Sequence, residues 1–356
     1  MRDFLIIGGG IAGASAAARL SELGTVSVLE SEEALGYHAS GRSAALYEPG
    51  YGAPATVALN RASGAELAEA GVLTPRGFMV VAAPEDEAAF RADAQAMELT
   101  PLSPEEACAR VPILRRDVLA FAAISEDACD IDTDALLQGY ARAARRNGAE
   151  FHTRAAVRGI RRDTSGWWLD TEAGGHEGRI LVNAAGAWAD EVAQMAGLAP
   201  LGIQPFRRSM AQLPAPGGHD VSGWPMIIGA GETWYAKPDA GKWLVSPADA
   251  DPVEPHDAWP DDMVLAEGLA RYEAMVTEPV TRVTASWAGL RSYAPDRTLV
   301  IGPDPQDTGF VWFAGQGGQG IQSAAAASRL LADLLGGRTP EIDRDLLAAL
   351  TPGRLR

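Results

Sequence analysis

Gly8, Gly10 and Gly13 fall in a G-x-G-x-x-G spacing between an apolar run, Asp3 to Ile7, and an alanine-rich helical pattern, Ile11 to Leu23. The first glycine permits a tight turn, the second lets a pyrophosphate approach the backbone, and the third lets helix pack closely on strand. The helix N-terminus then offers free N–H groups and the positive end of its dipole to phosphates. A second strand pattern, Thr25 to Glu30, ends on an acid at the distance where a carboxylate accepts the ribose hydroxyls of an adenosine. Together these predict a βαβ unit that binds a dinucleotide. The loop alone leaves NAD and FAD open. Ser40-Gly41-Arg42-Ser43 follows the acid, Leu181 to Trp188 (LVNAAGAW) is a second small-residue strand end, and Gly315 to Gln322 (GQGGQGIQ) is a third glycine-rich turn. Three close approaches of backbone to ligand suit a long, extended, buried cofactor such as FAD.

At 356 residues the chain has room for about two domains. With 47% hydrophobic residues it can bury a sizeable core. Its formal net charge of −17 argues against a nucleic-acid partner and against anionic membrane surfaces. Cys108 and Cys129 form no C-x-x-C pair and the histidines are scattered, so no metal site is expected and both thiols are read as free and buried. No secretory pattern precedes the first strand and no apolar stretch reaches ~18 residues. A soluble, cytoplasmic protein without a transmembrane segment is expected.

Further along, helical patterns cover 54–70, 85–98, 103–110, 132–147, 257–276 and 317–336. Strand patterns cover 78–83, 181–185, 299–301 and 310–314, and 203–246 reads as antiparallel strands with Pro and Gly turns. Nucleotide-binding features recur at the start, near 180 and near 315. One domain is therefore expected to be built from separated pieces, with a second inserted between them.

These segments resemble the FAD-dependent D-amino-acid oxidase and glycine oxidase (DAO) family, and within it the D-arginine dehydrogenases most. The likeness runs nearly end to end. It is carried by IIGGGIAGAS (6–15), GYHASGRSAA (36–45), VPILRRD (111–117), DIDTDALLQGY (130–140), LVNAAGAW (181–188), KPDAG (237–241), SPADADPVEPHD (246–257), WAGLRSY (287–293) and GQGGQGIQ (315–322). It implies an α/β (α+β) fold of the DAO type: a Rossmann-like FAD-binding domain of residues 1–50, 130–200 and 285–356, interlaced with an antiparallel-sheet substrate domain of 51–129 and 201–284. It implies FAD held non-covalently, with attachment at the nearby His38 not expected. The implied reaction is oxidative deamination of a D-amino acid. Hydride would pass from the α-carbon to flavin N5, and the imino acid would hydrolyse to a 2-oxo acid and ammonia. Glycine, sarcosine and cyclic imino-acid oxidases share every cofactor motif and stand as the alternative. The partners are then a small-molecule amino acid and an electron acceptor, open among oxygen, a quinone and a carrier.

The cofactor contacts implied by the resemblance begin at Gly8, Gly10, Ile11, Ala12, Gly13 and Glu30. They continue through Ser40, Gly41, Arg42 and Ser43, then Val157, then Ala185, Gly186 and Trp188. They end at Gly289, Gly317, Gly318, Gly320, Ile321 and Gln322, where a helix N-terminus would favour the negative charge of the reduced flavin ring. On the substrate side, Arg291 matches the arginine that grips the carboxylate, a role the guanidinium fork suits. Arg208 resembles a second arginine near the substrate, with Arg207 as its solvated neighbour. Tyr51 and Tyr235 resemble tyrosines that close over the substrate and hydrogen-bond it.

The side-chain pocket departs from the D-arginine dehydrogenases. Phe78 stands where they carry an acid, Leu46 replaces a histidine, Gln319 an aromatic residue and Glu48 a threonine. Either Glu48 takes over as counter-ion for a basic side chain, or the pocket has turned apolar and takes hydrophobic or smaller amino acids. The second reading is preferred, because losing a buried charge partner costs a cationic ligand several kcal/mol. Most loop carboxylates face solvent, and that is the bland reading of Glu48.

Overall fold

The computed structural model describes residues 1–356. Arg2–Ile7 lies between two parallel neighbours, Val26–Leu29 and Gly174–Asn183. Glu150–His152 extends this parallel sheet on one side, and Phe310–Ala314 pairs in parallel with the end of Gly174–Asn183 on the other. Strands covered on both faces read as unbroken apolar runs, as Phe4 to Ile7 and Phe310 to Ala314 do. The early half of Gly174–Asn183 pairs antiparallel with Trp167–Thr171, which carries Val157–Arg162 at the edge.

Ile11–Leu20, Thr133–Arg146 and Gly320–Leu335 pack together over one face of this sheet, sharing a core with Phe4, Ile6, Val28, Val182 and Phe313. Leu5, Ile7, Leu181 and Trp312 face the other way, onto Trp167 and Val192. Asp132 caps Thr133–Arg146 by accepting from the Ala135 N–H at 2.8 Å, and Gly148, at φ +87, follows its end. Asp262–Met275 begins later than the pattern from 257 predicts. Pro260 biases Trp259 to an extended conformation, and the Asp261 carboxylate caps the helix at the Met263 and Val264 amides.

The second sheet runs, neighbour by neighbour, Ala285–Tyr293, Gln204–Leu213, Lys242–Ser246, Tyr235–Asp239, Met226–Gly229, Phe78–Ala82, Phe121–Ser125 and Thr100–Leu102. Its pairs are antiparallel except Met226–Gly229 with Phe78–Ala82, which come from separate segments and run parallel. Two expected domain boundaries fall differently. Ala285–Tyr293, expected in the FAD-binding part, is the edge strand of this second sheet, paired along Gln204–Leu213. Pro54–Glu69, expected in the substrate part, packs on Gly320–Leu335, and its Ala55 and Leu59 join the core of the parallel sheet. Both are choices of distant packing partner, to which hydrophobic periodicity is blind.

A three-stranded sheet of Leu46–Tyr47, Cys129–Ile131 and Leu73–Pro75 completes the strand pairing. Cys108 and Cys129 are free, as expected, but half-buried rather than buried. No helix is long and apolar enough to cross a membrane.

Candidate active site

Gly8 ends the opening strand at φ +104, where a Cβ would overlap the Ala184 carbonyl. Gly13 lies behind the loop, and a Cβ on it would fall well inside contact with the Gly8 carbonyl oxygen. Buried Glu30 accepts from the Gly9 amide at 2.6 Å. Its other oxygen accepts from the Glu32 amide at 2.9 Å and the Ser31 hydroxyl at 3.1 Å. A carboxylate offers about four accepting positions, so Glu30 shapes the loop and keeps capacity for a ribose hydroxyl.

From this loop a cavity of about 530 Å³ extends to the Gly317–Gly318 turn. Gly8, Gly10, Ile11, Ala12, Glu30, Ser40, Arg42, Ser43 and Val157 line it, with Ala185, Gly186, Trp188, Gly289, Gly317, Gly318, Gly320 and Ile321. Gly186 has nothing within 4 Å of where a Cβ would stand. A long cavity with a glycine-backed phosphate end fits FAD. Three expected contacts stand elsewhere. Gly13 is behind the loop, Gly41 turns back to donate its N–H to the Gly36 carbonyl at 2.7 Å, and Gln322 faces a second cavity.

Arg42 lines the cavity but works as a tie. Nη1 donates to the Ala258 and Ala288 carbonyls at 2.9 and 3.0 Å, Nη2 to Asp257 at 2.6 Å, and Nε to the Tyr37 carbonyl at 3.3 Å. That leaves about one of its five donors for a ligand. Two residues on, the Ala44 carbonyl accepts from buried Lys237 Nζ at 2.7 Å. The same ammonium pairs with Asp130 at 2.6 Å, and Asp130 also holds Arg76 Nε at 2.7 Å. Ser43 and Ala44 form a wall common to both cavities, and these ties pin it from the second sheet and its flanking loop.

The second cavity, about 80 Å³, shares Ser43, Ala44, Tyr235, Arg291, Gly318 and Ile321 with the first. Glu48, Tyr51, Phe78 and Gln322 also line it, so Tyr51, Tyr235, Arg291, Glu48 and Phe78, all expected around the substrate, meet there; Arg208 lines the larger cavity beside Tyr235 and Arg291. Arg208 pairs with Gly289 across neighbouring antiparallel strands, which puts Arg208 and Arg291 on one face of the sheet. Arg207 faces the other way and is not simply solvated: it is ion-paired to Asp249 at 3.3 Å and Asp251 at 2.6 Å.

Between the two facing arginines stands a residue the sequence reading missed. Glu232 Oε1 accepts from Arg208 Nη1 at 2.6 Å and Arg291 Nη1 at 3.1 Å, and Oε2 accepts from the Tyr51 hydroxyl at 2.8 Å. The one available signal was an isolated acid three positions ahead of Tyr235 in a mostly apolar run.

Glu48 does not face solvent. It is 5% exposed, Oε1 accepts from the Gly50 amide at 3.1 Å, and Oε2 has no partner. Gln322 accepts from the Glu48 amide at 3.0 Å and donates to Gln319. Phe78, Met226 and Ile228 form the apolar side of the same cavity. Burial pushes the Glu48 carboxyl up, against the opposing Gly50 amide. Burial and the Glu232 charge push the Tyr51 phenol up.

Burial would also raise Glu232, but Arg291 and then Arg208 outweigh it and hold the carboxyl at about 2. Its ordinary value is 4.5, so these contacts stabilise the fold above that pH, and the stabilisation is lost as pH falls towards 2. Between pH 5 and pH 3 the loss is roughly 2 kcal/mol. In Glu232→Gln the difference in urea-unfolding free energy between those pH values shrinks by that amount; an unchanged difference overturns the assignment.

The model of the family described as DAO, FAD dependent oxidoreductase, matches residues 3–334. The glycine oxidase of Geobacillus kaustophilus is 28% identical over 239 residues, 66% of this chain and 61% of that protein. The crystal structure of glycine oxidase from that organism gives a TM-score of 0.83 at 24% identity over 98% of each chain, a likeness of fold. The hydrogen cyanide synthase subunit HcnC of Pseudomonas aeruginosa is 27% identical over 216 residues, 58% of this chain and 49% of that protein, so the chain matches about half of that relative's length. The D-amino acid dehydrogenase of Xanthobacter autotrophicus is 47% identical over 57 residues, 16% of this chain and 13% of that protein. With the glycine loop, the long cavity and a family model spanning nearly the whole sequence in agreement, this chain belongs to the DAO family of FAD-dependent oxidoreductases.

Proposed function

We propose that this enzyme oxidises the Cα–N bond of a small D-amino acid, giving an imino acid that water converts to a 2-oxo acid and ammonia. The observation that carries the reading is the convergence of Arg208, Arg291 and the Tyr51 hydroxyl on one carboxylate position where the two cavities meet. When bound, FAD supplies the two-electron acceptor. Arg291 and Arg208 bind the substrate carboxylate and fix its orientation. Tyr235, 3% exposed and common to both cavities, closes the site over the substrate and excludes water. A substrate that enters with a neutral amine leaves no proton for a base to remove before oxidation.

Phe78, Met226 and Ile228 take the substrate side chain. A buried water needs about 10–15 Å³ by the same measure, so the second cavity has room for on the order of six water-sized groups. That favours an amino acid the size of alanine or serine over arginine. Glu48 Oε2 offers an acceptor for a hydroxyl or amino group on that side chain.

The small cavity and the similarity to a glycine oxidase also favour a second reading, a glycine, sarcosine or cyclic imino-acid oxidase. Anaerobic bleaching of the flavin absorbance by D- and L-amino acids, glycine, sarcosine and proline separates the two. Bleaching by D-alanine or D-serine is the expected result, with D-arginine at least tenfold slower. Bleaching by glycine, sarcosine or proline alone moves the enzyme to the second reading.

A further inference from the structure

Glu232 is the one carboxylate between Asp220 and Asp239, and it sits on a turn between strands. Its φ is +55, directly after Gly231 at φ +68. A glutamate in the left-handed region is held there only when its surroundings enforce it. The Gly231 N–H donates to Asp93 at 2.7 Å, and Arg271 Nε donates to the Thr233 carbonyl at 3.0 Å, so the turn is anchored on both sides. From that anchored turn the Glu232 side chain reaches Arg208, Arg291 and Tyr51. They are the groups that the reading above gives to the carboxylate of the substrate.

We propose that Glu232 is a resident carboxylate that holds Arg208, Arg291 and Tyr51 in register and is exchanged for the substrate's own carboxylate on binding. The inference rests on the carboxylate-clamp reading. Two guanidinium groups on one sheet face repel each other, and an anion between them keeps both aimed at a common point. The entering carboxylate replaces the leaving one, so the number of ion pairs stays constant and the electrostatic gain on binding is small. A ligand without a carboxylate has nothing to offer in the exchange. Glu232 is thereby a specificity-determining residue: it makes a carboxylate obligatory and sets how tightly one is held. The left-handed turn favours the exchange, because a backbone held out of its preferred region relaxes when the side chain lets go.

The test uses the holoenzyme and two probes, acetate and ethylamine, with binding read from perturbation of the flavin spectrum. Glu232→Gln keeps the side-chain shape, and Glu232→Gly suits the left-handed backbone, so a folding failure in one leaves the other. Acetate is expected to bind both variants at least tenfold more tightly than the wild type, with ethylamine unchanged. In the wild type, amide hydrogen exchange over 230–233 is expected to rise at least threefold on saturation with acetate. Affinities within twofold of the wild type in both variants overturn the exchange, as does slowed or unchanged amide exchange, which makes Glu232 a fixed wall. Arg291→Met tells that failure from failure of the clamp. Acetate binding that survives Arg291→Met, or acetate that binds no form of the protein, overturns the clamp reading and the exchange with it.

Discussion

Arg291→Met lowers amino-acid turnover by roughly 10²- to 10³-fold while the purified protein remains yellow. The guanidinium touches both cavities, and burial, which alone would make it easier to deprotonate, is outweighed by Tyr235, Glu232 and Tyr51. It stays a full positive charge at the position proposed for the substrate carboxylate. Truncating one partner of a buried, hydrogen-bonded charge pair costs about 2–5 kcal/mol, or roughly 30- to 4,000-fold. FAD content is expected to hold, because the phosphate and adenosine ends of its cavity lie on Gly8, Gly10 and Glu30, in the other half of the molecule. The measurement is the rate of anaerobic flavin reduction against substrate concentration. A kcat/KM within threefold of the wild type removes Arg291 from the carboxylate site.

Gly13→Ala has the second large effect, on cofactor and stability together. The new methyl group would meet the backbone oxygen of Gly8, which no rotamer change can clear. Relief requires the helix Ile11–Leu20 to move off the strand end, which opens the phosphate loop. Overpacking a rigid contact costs about 3 kcal/mol or more, and a chain this long loses roughly 2 °C of Tm per kcal/mol, so a drop of about 6 °C is expected. The variant should purify with little flavin. Gly175→Ala is the control, since nothing lies within 4 Å of its Cβ position and its φ is not positive. A yellow Gly13→Ala protein with unchanged Tm overturns the account.

What could be read from the sequence was local. The glycine loop, Glu30 and the recurrence of small-residue strand ends each lie within a few residues of the element that gives them meaning, and the parallel sheet followed from them. Arg291, inside WAGLRSY, and Tyr235, two residues before KPDAG, were picked out by the resemblance, and both line the second cavity. Glu232 was not, because its role is defined by Arg208 and Arg291, 24 and 59 residues away in sequence, and its own neighbourhood looks like an ordinary turn. Arg42, which lines the large cavity as expected, carries a second role that was hidden for a related reason. A guanidinium in a cofactor loop reads only as a ligand, and its tie to the carbonyls of Ala258 and Ala288, more than 200 residues on, shows only in the fold. Glu48 reversed the usual expectation for a loop carboxylate because Gln322, on the last long helix, fixes its amide. The strand Ala285–Tyr293 alternates like any half-buried strand, and alternation says nothing about which sheet it joins.

The pinned wall at Ser43 and Ala44 has a consequence for anyone who would recombine this enzyme with its relatives. The wall belongs by sequence to the nucleotide-binding half, yet Lys237 grips it from the second sheet and Arg42 reaches the Ala258 and Ala288 carbonyls beyond. A chimera cut at the apparent boundary near residue 50 would import a foreign lysine strand against a native wall. The crossover that preserves both cavities transfers residues 42–46 together with Asp130, Lys237 and the strand Ala285–Tyr293, as one inherited block.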